Sequence, residues 1–315
     1  DGIRFGVRTT SSVFAKRIAI GTVPGEVGWT NRRNSIVTLA TGGGSTSMRS
    51  SSDGNIIAFG YVDSGTVRVR VYDLTSQLGP EISTAGSLIS LDLTNDGTRL
   101  AVLVDNEARV YEYSAGVWSQ VGSRMHFAAD VGSKIRISGG NGDYVALGMN
   151  APADPKPYNV LRVYKYDLDW RLISPTMTVA KTPVNHFGSS FALTDDGSRL
   201  VHSSVNDNAV EFSTFSGGGS VQFVQPSLEI SVNGEGSRMA LDSANVMVVS
   251  SFTDHAVRVY DANNNLETSF TAPPSYVKTP GGDQLITSKP FSITKDGNKI
   301  VTVIATGEVA VYKKQ

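Results

Sequence analysis

The sequence predicts an all-β chain assembled from repeats of one sheet-forming unit, and three observations carry that reading. Apolar and polar residues alternate over short stretches, and long runs with helical spacing are missing. Gly, Asp, Asn and Ser, which favour tight turns, separate these stretches. The pattern strand, turn, strand, turn, strand then returns along the chain, most clearly in Ile89–Tyr113, Ser190–Phe215 and Phe291–Lys314.

Aligning the copies on their second strand places Ile18, Ile57, Leu100, Val145, Leu200, Met247 and Ile300 at equivalent positions, 39 to 55 residues apart. Seven copies in 315 residues average 45 residues, the length of a four-stranded propeller blade. The expected architecture is therefore a single-domain, seven-bladed β-propeller over residues 1–315. Its blades fall at 5–40, 47–84, 88–124, 134–177, 187–225, 229–272 and 289–315. The last copy shows three strands, and Asp1–Arg4 is expected to add the fourth and close the ring. The alternative is six blades, with residues 1–40 serving as closure and extension.

Each copy has its own grounds. In the first, Phe5-Gly6 precedes Ile18 at the offset at which Phe187-Gly188 precedes Leu200, and Gly25-Glu26-Val27 follows Ile18 as Gly307-Glu308-Val309 follows Ile300. The second runs from Ser47 through the Asp53-Gly54 turn, and the third through Asp96-Gly97. The fourth carries an insertion at Met149–Asn159. The fifth turns at Asp196-Gly197 and the seventh at Asp296-Gly297, while Ser243-Ala244-Asn245 takes that place in the sixth. Glycine suits these turns because it accepts positive φ. Third strands end in Val-Tyr or a close variant, as expected of strands covered on both faces. Arg68, Arg70, Arg109, Arg162 and Arg258 recur just before that tyrosine, and recurrence in successive copies points to a structural role, with each stem laid between blades.

The segment His186–Val201, the Val-x-x-Tyr/Phe strands and the Trp-bearing strand at Gly116–Arg124 together resemble the FG-GAP type of propeller repeat, found in the integrin α-subunit head and many extracellular repeat proteins. The motif is also similar to WD-repeat and TolB-like blades. The resemblance implies a binding or adhesion platform. The integrin calcium loop, with Asp at alternating positions, is not matched at Thr194–Gly197, so no metal is expected there.

Composition narrows the function. The chain holds 28 Lys+Arg against 29 Asp+Glu, a net charge of −1, so neither nucleic acid nor an anionic membrane surface is expected as main partner. No apolar run approaches the roughly 18 residues of a membrane-spanning helix. Cysteine is absent, which removes disulfides and thiolate chemistry, and the four histidines, His126, His186, His202 and His255, lie far apart in sequence. The chain opens on Asp1, as expected of a mature or excised segment. Motifs for nucleophile elbows, zinc proteases, phosphate loops or dinucleotide binding are missing. Asp130, Asp242 and His186 could face a central channel but form no catalytic constellation. No catalytic residue, metal or cofactor is therefore predicted, and the chain is read as a non-enzyme.

Three insertions, Met149–Asn159, Ser174–His186 and Thr271–Lys289, are expected on one face, where long loops on a rigid scaffold serve recognition. Lys156, Tyr158, Tyr276 and Lys278 supply the cationic and aromatic groups such a surface uses. The expected function is a non-catalytic, extracellular or surface-associated propeller that binds a protein or glycan through this face. A structural subunit of a larger assembly, such as a surface filament or virion, packing against copies of itself, is the alternative. A channel-site hydrolase or lyase comes third.

Overall fold

Alternating β-branched and aromatic residues build strands throughout the computed structural model. It describes residues 2–8, 12–19, 34–38, 46–53, 55–73, 76–126, 131–150, 158–174, 177–180, 191–203, 209–214, 230–231, 236–241, 247–251, 256–261, 265–271, 275–279, 282–286, 291–293, 299–305 and 308–313. Among these residues every regular element is a strand.

The first sheet has β1 (Gly2–Arg8), β2 (Ser12–Ala19) and β3 (Asn34–Thr38) in that order. The second has β4 (Thr46–Ser50), β5 (Ile57–Asp63), β6 (Thr66–Tyr72) and β7 (Ile82–Ala85). The third runs β8 (Leu88–Leu93), β9 (Arg99–Val104), β10 (Glu107–Ser114) and β11 (Val117–Gln120), with β12 (Met125–His126) also on β10. The fourth runs β13 (Val131–Ile137), β14 (Tyr144–Asn150), β15 (Tyr158–Asp167) and β16 (Asp169–Leu172), with β17 (Met177–Ala180) also on β15. The fifth holds β18 (Phe191–Leu193), β19 (Arg199–Ser203), β20 (Ala209–Thr214) and β21 (Ile230–Ser231). The sixth holds β22 (Gly236–Leu241), β23 (Met247–Ser251), β24 (Ala256–Tyr260) and β25 (Leu266–Thr271). A two-stranded ribbon follows, β26 (Ser275–Thr279) with β27 (Gly282–Ile286), and the last sheet has β28 (Phe291–Ile293), β29 (Lys299–Ala305) and β30 (Glu308–Lys313).

The repeat is visible in the pairing. Ile57 stands opposite Tyr72, Leu100 opposite Tyr111, Met247 opposite Tyr260 and Ile300 opposite Tyr312. The divergent fifth sheet sets Leu200 against Ser213. Gly2, Ile3 and Arg4 pair with Ala19, Ile18 and Arg17, because the alternating stretch continues to Arg8 and folds back as a hairpin of the first sheet. One expectation is corrected. The connection Thr271–Lys289 is not an open loop, since its middle forms the β26–β27 ribbon.

The chain divides into two compact units, Asp1–Val145 with Tyr164–Arg171, and Ala146–Val163 with Leu172–Gln315. In the first, β4 lies against β8 and β8 against β13, so sheets stack through their first strands. Ala58, Val67, Val69, Val71, Leu88, Leu91, Leu100 and Val102 form the core between the second and third sheets. In β9, Leu100 through Val104 are all buried, so this strand is covered on both faces. In β6, by contrast, buried Val67, Val69 and Val71 alternate with the half-buried Thr66, Arg68 and Arg70. In the second unit β18 lies against β22 and β22 against β28, and Phe191, Leu193, Leu200, Val259 and Tyr260 are buried.

A seam repeats in the first unit. Trp118 Nε1 donates to Leu78 O at 2.8 Å, and Trp170 Nε1 donates to Val121 O at 2.8 Å. Each tryptophan stands 5.2 Å from a tyrosine of its own hairpin, Tyr113 or Tyr166. Beneath each lies a glycine of the preceding sheet's last turn with positive φ, Gly79 at 68° and Gly122 at 65°. A Cβ on Gly79 would sit 2.9 Å from Gly116 O, and one on Gly122 would sit 2.9 Å from Trp170 Cδ1. Gln77 and Gln120 donate to the carbonyl oxygens of these two glycines, each at 2.9 Å. Glycine is needed here for both its backbone conformation and its missing side chain.

Asp92 ties consecutive sheets at another level. Its side chain on β8 accepts from Arg49 Nε of the second sheet at 3.1 Å and from Ile137 N–H of the fourth at 3.0 Å, and Arg136 Nη1 stands 3.8 Å away. Across a buried sheet stack such a carboxylate is stable only when hydrogen-bonded and paired, as it is here.

Candidate recognition surface

The four residues expected to bind lie in different places. Tyr158 begins β15, opposite Ala180 of β17. Tyr276 and Lys278 are on the ribbon, opposite Leu285 and Asp283. Lys156 lies outside the described residues, as do Asp130, His186 and Asp242. Tyr276 and Lys278 therefore share one short ribbon, two residues apart on β26. The alternation in Ser275–Thr279 and Gly282–Ile286 and the intervening Pro280-Gly281 were the signals of a hairpin. The flanking Pro273-Pro274 masked them.

The Asp-Gly turns are closed structural units. Thr94 Oγ1 donates to Asp96 Oδ1 at 2.7 Å and accepts from Arg99 N at 2.9 Å, while Thr98 N donates to Asp96 Oδ1 at 2.9 Å. The fifth sheet copies this: Thr194 Oγ1 donates to Asp196 at 2.6 Å, and Ser198 N donates to Asp196 at 2.9 Å. In the second sheet Ser51 Oγ donates to Asp53 at 2.7 Å and Asn55 N donates to Asp53 at 2.9 Å. Gly97 and Gly197 hold φ of 75° and 69°. A hydroxyl two residues before the aspartate is thus part of the turn, a feature that composition alone did not reveal. Asp296-Gly297 lies outside the described residues.

Burial alone would raise the carboxyl pKa of Asp96 and Asp196, but the turn N–H and hydroxyl donors outweigh it and hold both below the usual range. A depressed carboxylate stabilises the fold above its unfolded pKa and loses that contribution as pH falls through it toward the folded value. Asp96→Asn is therefore expected to cost about 1 kcal/mol at pH 7, a modest figure because the turn is partly exposed, and the cost should shrink below about pH 4. Urea unfolding of both proteins at pH 7 and pH 3 checks this; an equal cost at both would assign the effect to shape rather than charge.

The other shifted carboxylates also answer to neighbours. Burial works to raise Glu81, yet hydrogen bonds from Arg68 Nη1 at 2.6 Å and Arg70 Nε at 2.5 Å lower it. A hydrogen bond from Arg109 lowers Glu107, with Arg124 adding to it. The backbone N–H groups of Ser123 and Trp170 lower Asp169. Of the recurring arginines, Arg68 and Arg70 pair with Glu81 of their own sheet rather than lying between blades. Arg109 Nη1 reaches Thr84 of the preceding sheet at 2.9 Å. Arg70 instead stands over Tyr61 of its own sheet, 5.5 Å from the ring centre, and it is Arg99 that stands over an aromatic ring of the next sheet, Tyr166, at 5.8 Å. Among the described residues no group of three or more His, Asp or Glu side chains is placed to hold a metal ion.

No protein-family model matches the chain, and no curated protein matches it by sequence. Solved structures do. Kluyveromyces lactis Hsv2 superposes with a TM-score of 0.58 at 12% identity, over 85% of this chain and 73% of that one. Hsv2 of Kluyveromyces marxianus superposes with a TM-score of 0.55 at 12% identity, over 85% and 71%. A form of Kluyveromyces lactis Hsv2 with loop 6CD replaced by a Gly-Ser linker gives 0.56 at 12%, over 85% and 76%. At such identity the likeness speaks for fold alone, and with the repeated four-stranded antiparallel sheets it identifies the chain as a β-propeller.

Proposed function

We propose that this chain is a non-catalytic binding propeller of seven blades, one domain over residues 1–315, which recognises a protein or glycan outside a cell or at its surface. The observation that carries the reading is the β26–β27 ribbon. It is an extra, regularly paired hairpin inserted between the sixth and last sheets, and it bears Tyr276 and Lys278. A ribbon of five residues per strand costs chain entropy, so its retention on a repeat scaffold suits a role in recognition. Lys156 and Tyr158, beside the insertion after β14, extend the same chemistry. The structured turns and paired carboxylates further support a scaffold role for the ionisable groups that catalysis would otherwise claim.

Glycan and surface-protein arrays probed with the intact chain test this, beside a variant in which residues 273–288 are replaced by a Gly-Ser linker. The expected result is a reproducible glycan or protein hit that the linker variant loses while its melting temperature stays within a few degrees. Equal binding by both proteins would remove the ribbon from the reading. Turnover of an array glycan would replace binding with catalysis.

A further inference from the structure

We propose that Asn141 is a self-modifying site, at which the side-chain amide cyclises onto the backbone nitrogen of Gly142, releases ammonia and is opened by water to aspartate or isoaspartate. The turn over residues 138–143 joins β13 to β14 and copies the Asp-Gly turns of other sheets. Tyr144 N donates to Ser138 Oγ at 3.2 Å, as Arg99 N donates to Thr94 Oγ1 at 2.9 Å. Gly142 holds φ of 73°, beside 75° at Gly97 and 69° at Gly197. Asp143 N donates to Asn141 Oδ1 at 3.3 Å, as Asn55 N, Thr98 N and Ser198 N donate to Asp53, Asp96 and Asp196, each at 2.9 Å. Asn141 therefore stands where the second, third and fifth sheets carry an aspartate, and it presents an amide in place of a carboxylate.

The turn favours attack on that amide. The bond from Asp143 N closes a ring of atoms that contains both Asn141 Cγ and Gly142 N, so nucleophile and electrophile are held close. The same N–H donates to the oxygen on which negative charge develops as the tetrahedral adduct forms. Gly142 has no Cβ to shield its nitrogen. The Asp143 carboxylate accepts a hydrogen bond from Asn141 Nδ2, so an acid–base group touches the leaving nitrogen. The bond from Gly142 N to Cγ forms, the Cγ–Nδ2 bond breaks, and the proton shed by Gly142 N leaves with the amide nitrogen as ammonia. Asn141 is exposed, so solvent water reaches the cyclic imide. Water adds at Cγ to give aspartate, or at the main-chain carbonyl to give isoaspartate. Asp96 and Asp196 resist the same attack, because the turn donors hold them ionised and an anionic carboxylate repels a nucleophile.

The two products differ in their effect on the junction with the third sheet. Asp143 also accepts from Arg99 Nη1 at 2.8 Å, and a Cβ on Gly142 would sit 2.9 Å from Arg99 Cδ and from Thr94 Cγ2. Aspartate at 141 restores the residue that the repeat uses at this place. Isoaspartate lengthens the main chain by one carbon in a turn packed this closely, and so moves Asp143 away from Arg99.

The test follows the full chain at pH 8 and 37 °C by peptide mapping that separates aspartate from isoaspartate, beside a free peptide of sequence Ser-Gly-Gly-Asn-Gly-Asp-Tyr. The other Asn-Gly pair, Asn233-Gly234, lies outside the described residues and is read in the same map. The expected result is conversion at Asn141 at least as fast as in the free peptide, and about ten times faster than at Asn55, Asn95 and Asn106, whose following residues carry side chains. Asn141→Asp is expected to melt within a few degrees of the parent, and chains carrying isoaspartate to melt lower. Two results would overturn the proposal. One is an Asn141 that keeps its amide while the peptide converts, which would mean that the turn protects the site. The other is conversion no faster than at Asn55, Asn95 and Asn106. An isoaspartate-bearing chain that melts with the parent would overturn the effect on the junction.

Discussion

Replacing Trp170 by alanine is expected to lower the free energy of unfolding by about 4 kcal/mol. The residue is only 9% exposed, stands against Tyr166 and donates its indole N–H to Val121 O at 2.8 Å. Truncation leaves a void where two sheets meet and strips the half-buried Val121 carbonyl of its donor, so packing and polar losses add. Trp170→Phe separates them: it keeps most of the packing and removes the donor, for an expected cost of about 1 kcal/mol. Equilibrium denaturation in urea, followed by tryptophan fluorescence from the remaining indoles and by circular dichroism, reads both. A loss below about 1 kcal/mol for the alanine variant would mean that the seam is not a principal contact between sheets.

Asp92→Ala is expected to cost about 3 kcal/mol. Its carboxylate joins three consecutive sheets through Arg49 Nε, the Ile137 N–H and the nearby Arg136. Removing it takes away the carboxylate 3.8 Å from half-buried Arg136 and leaves a buried backbone donor unanswered, whereas Arg49, with 38% of its side chain exposed, can turn to water. Arg49→Met alone should therefore cost no more than about 1 kcal/mol. The pair Asp92→Ala and Arg49→Met should be less damaging than the sum of the singles, because one removes the partner of the other. Strict additivity in a double-mutant cycle would show that the Arg49 contact carries no coupling.

The repeat itself was readable because strand alternation and turn chemistry are local. Thr94 to Arg99 and Thr194 to Arg199 close nearly the same hydrogen-bonded turn, and their Asp-Gly pairs were visible in the sequence. The tryptophan at position 118 was visible as part of a fourth strand, but its acceptor, Leu78 O, lies 40 residues away and belongs to another sheet. Only stacking brings the two together, and no local pattern encodes it. The same holds for Asp92, whose partners lie 43 and 45 residues away on either side. The hairpin of Gly2–Arg8 with Ser12–Ala19 is a local feature that the alignment of copies passed over, although its short closure costs little entropy. The ribbon misled because proline and glycine mark both loops and tight hairpins.

The tryptophan, tyrosine and glycine that meet between the second and third sheets meet again, as the same three residue types, between the third and fourth. Modules joined by identical couplings are interchangeable in order and number. Loss or duplication of one such unit by recombination in the gene would bring together a matching donor and recipient at the new junction. At these two junctions the chemistry of the coupling, more than the identity of the sheet on either side, is what such an exchange would have to preserve.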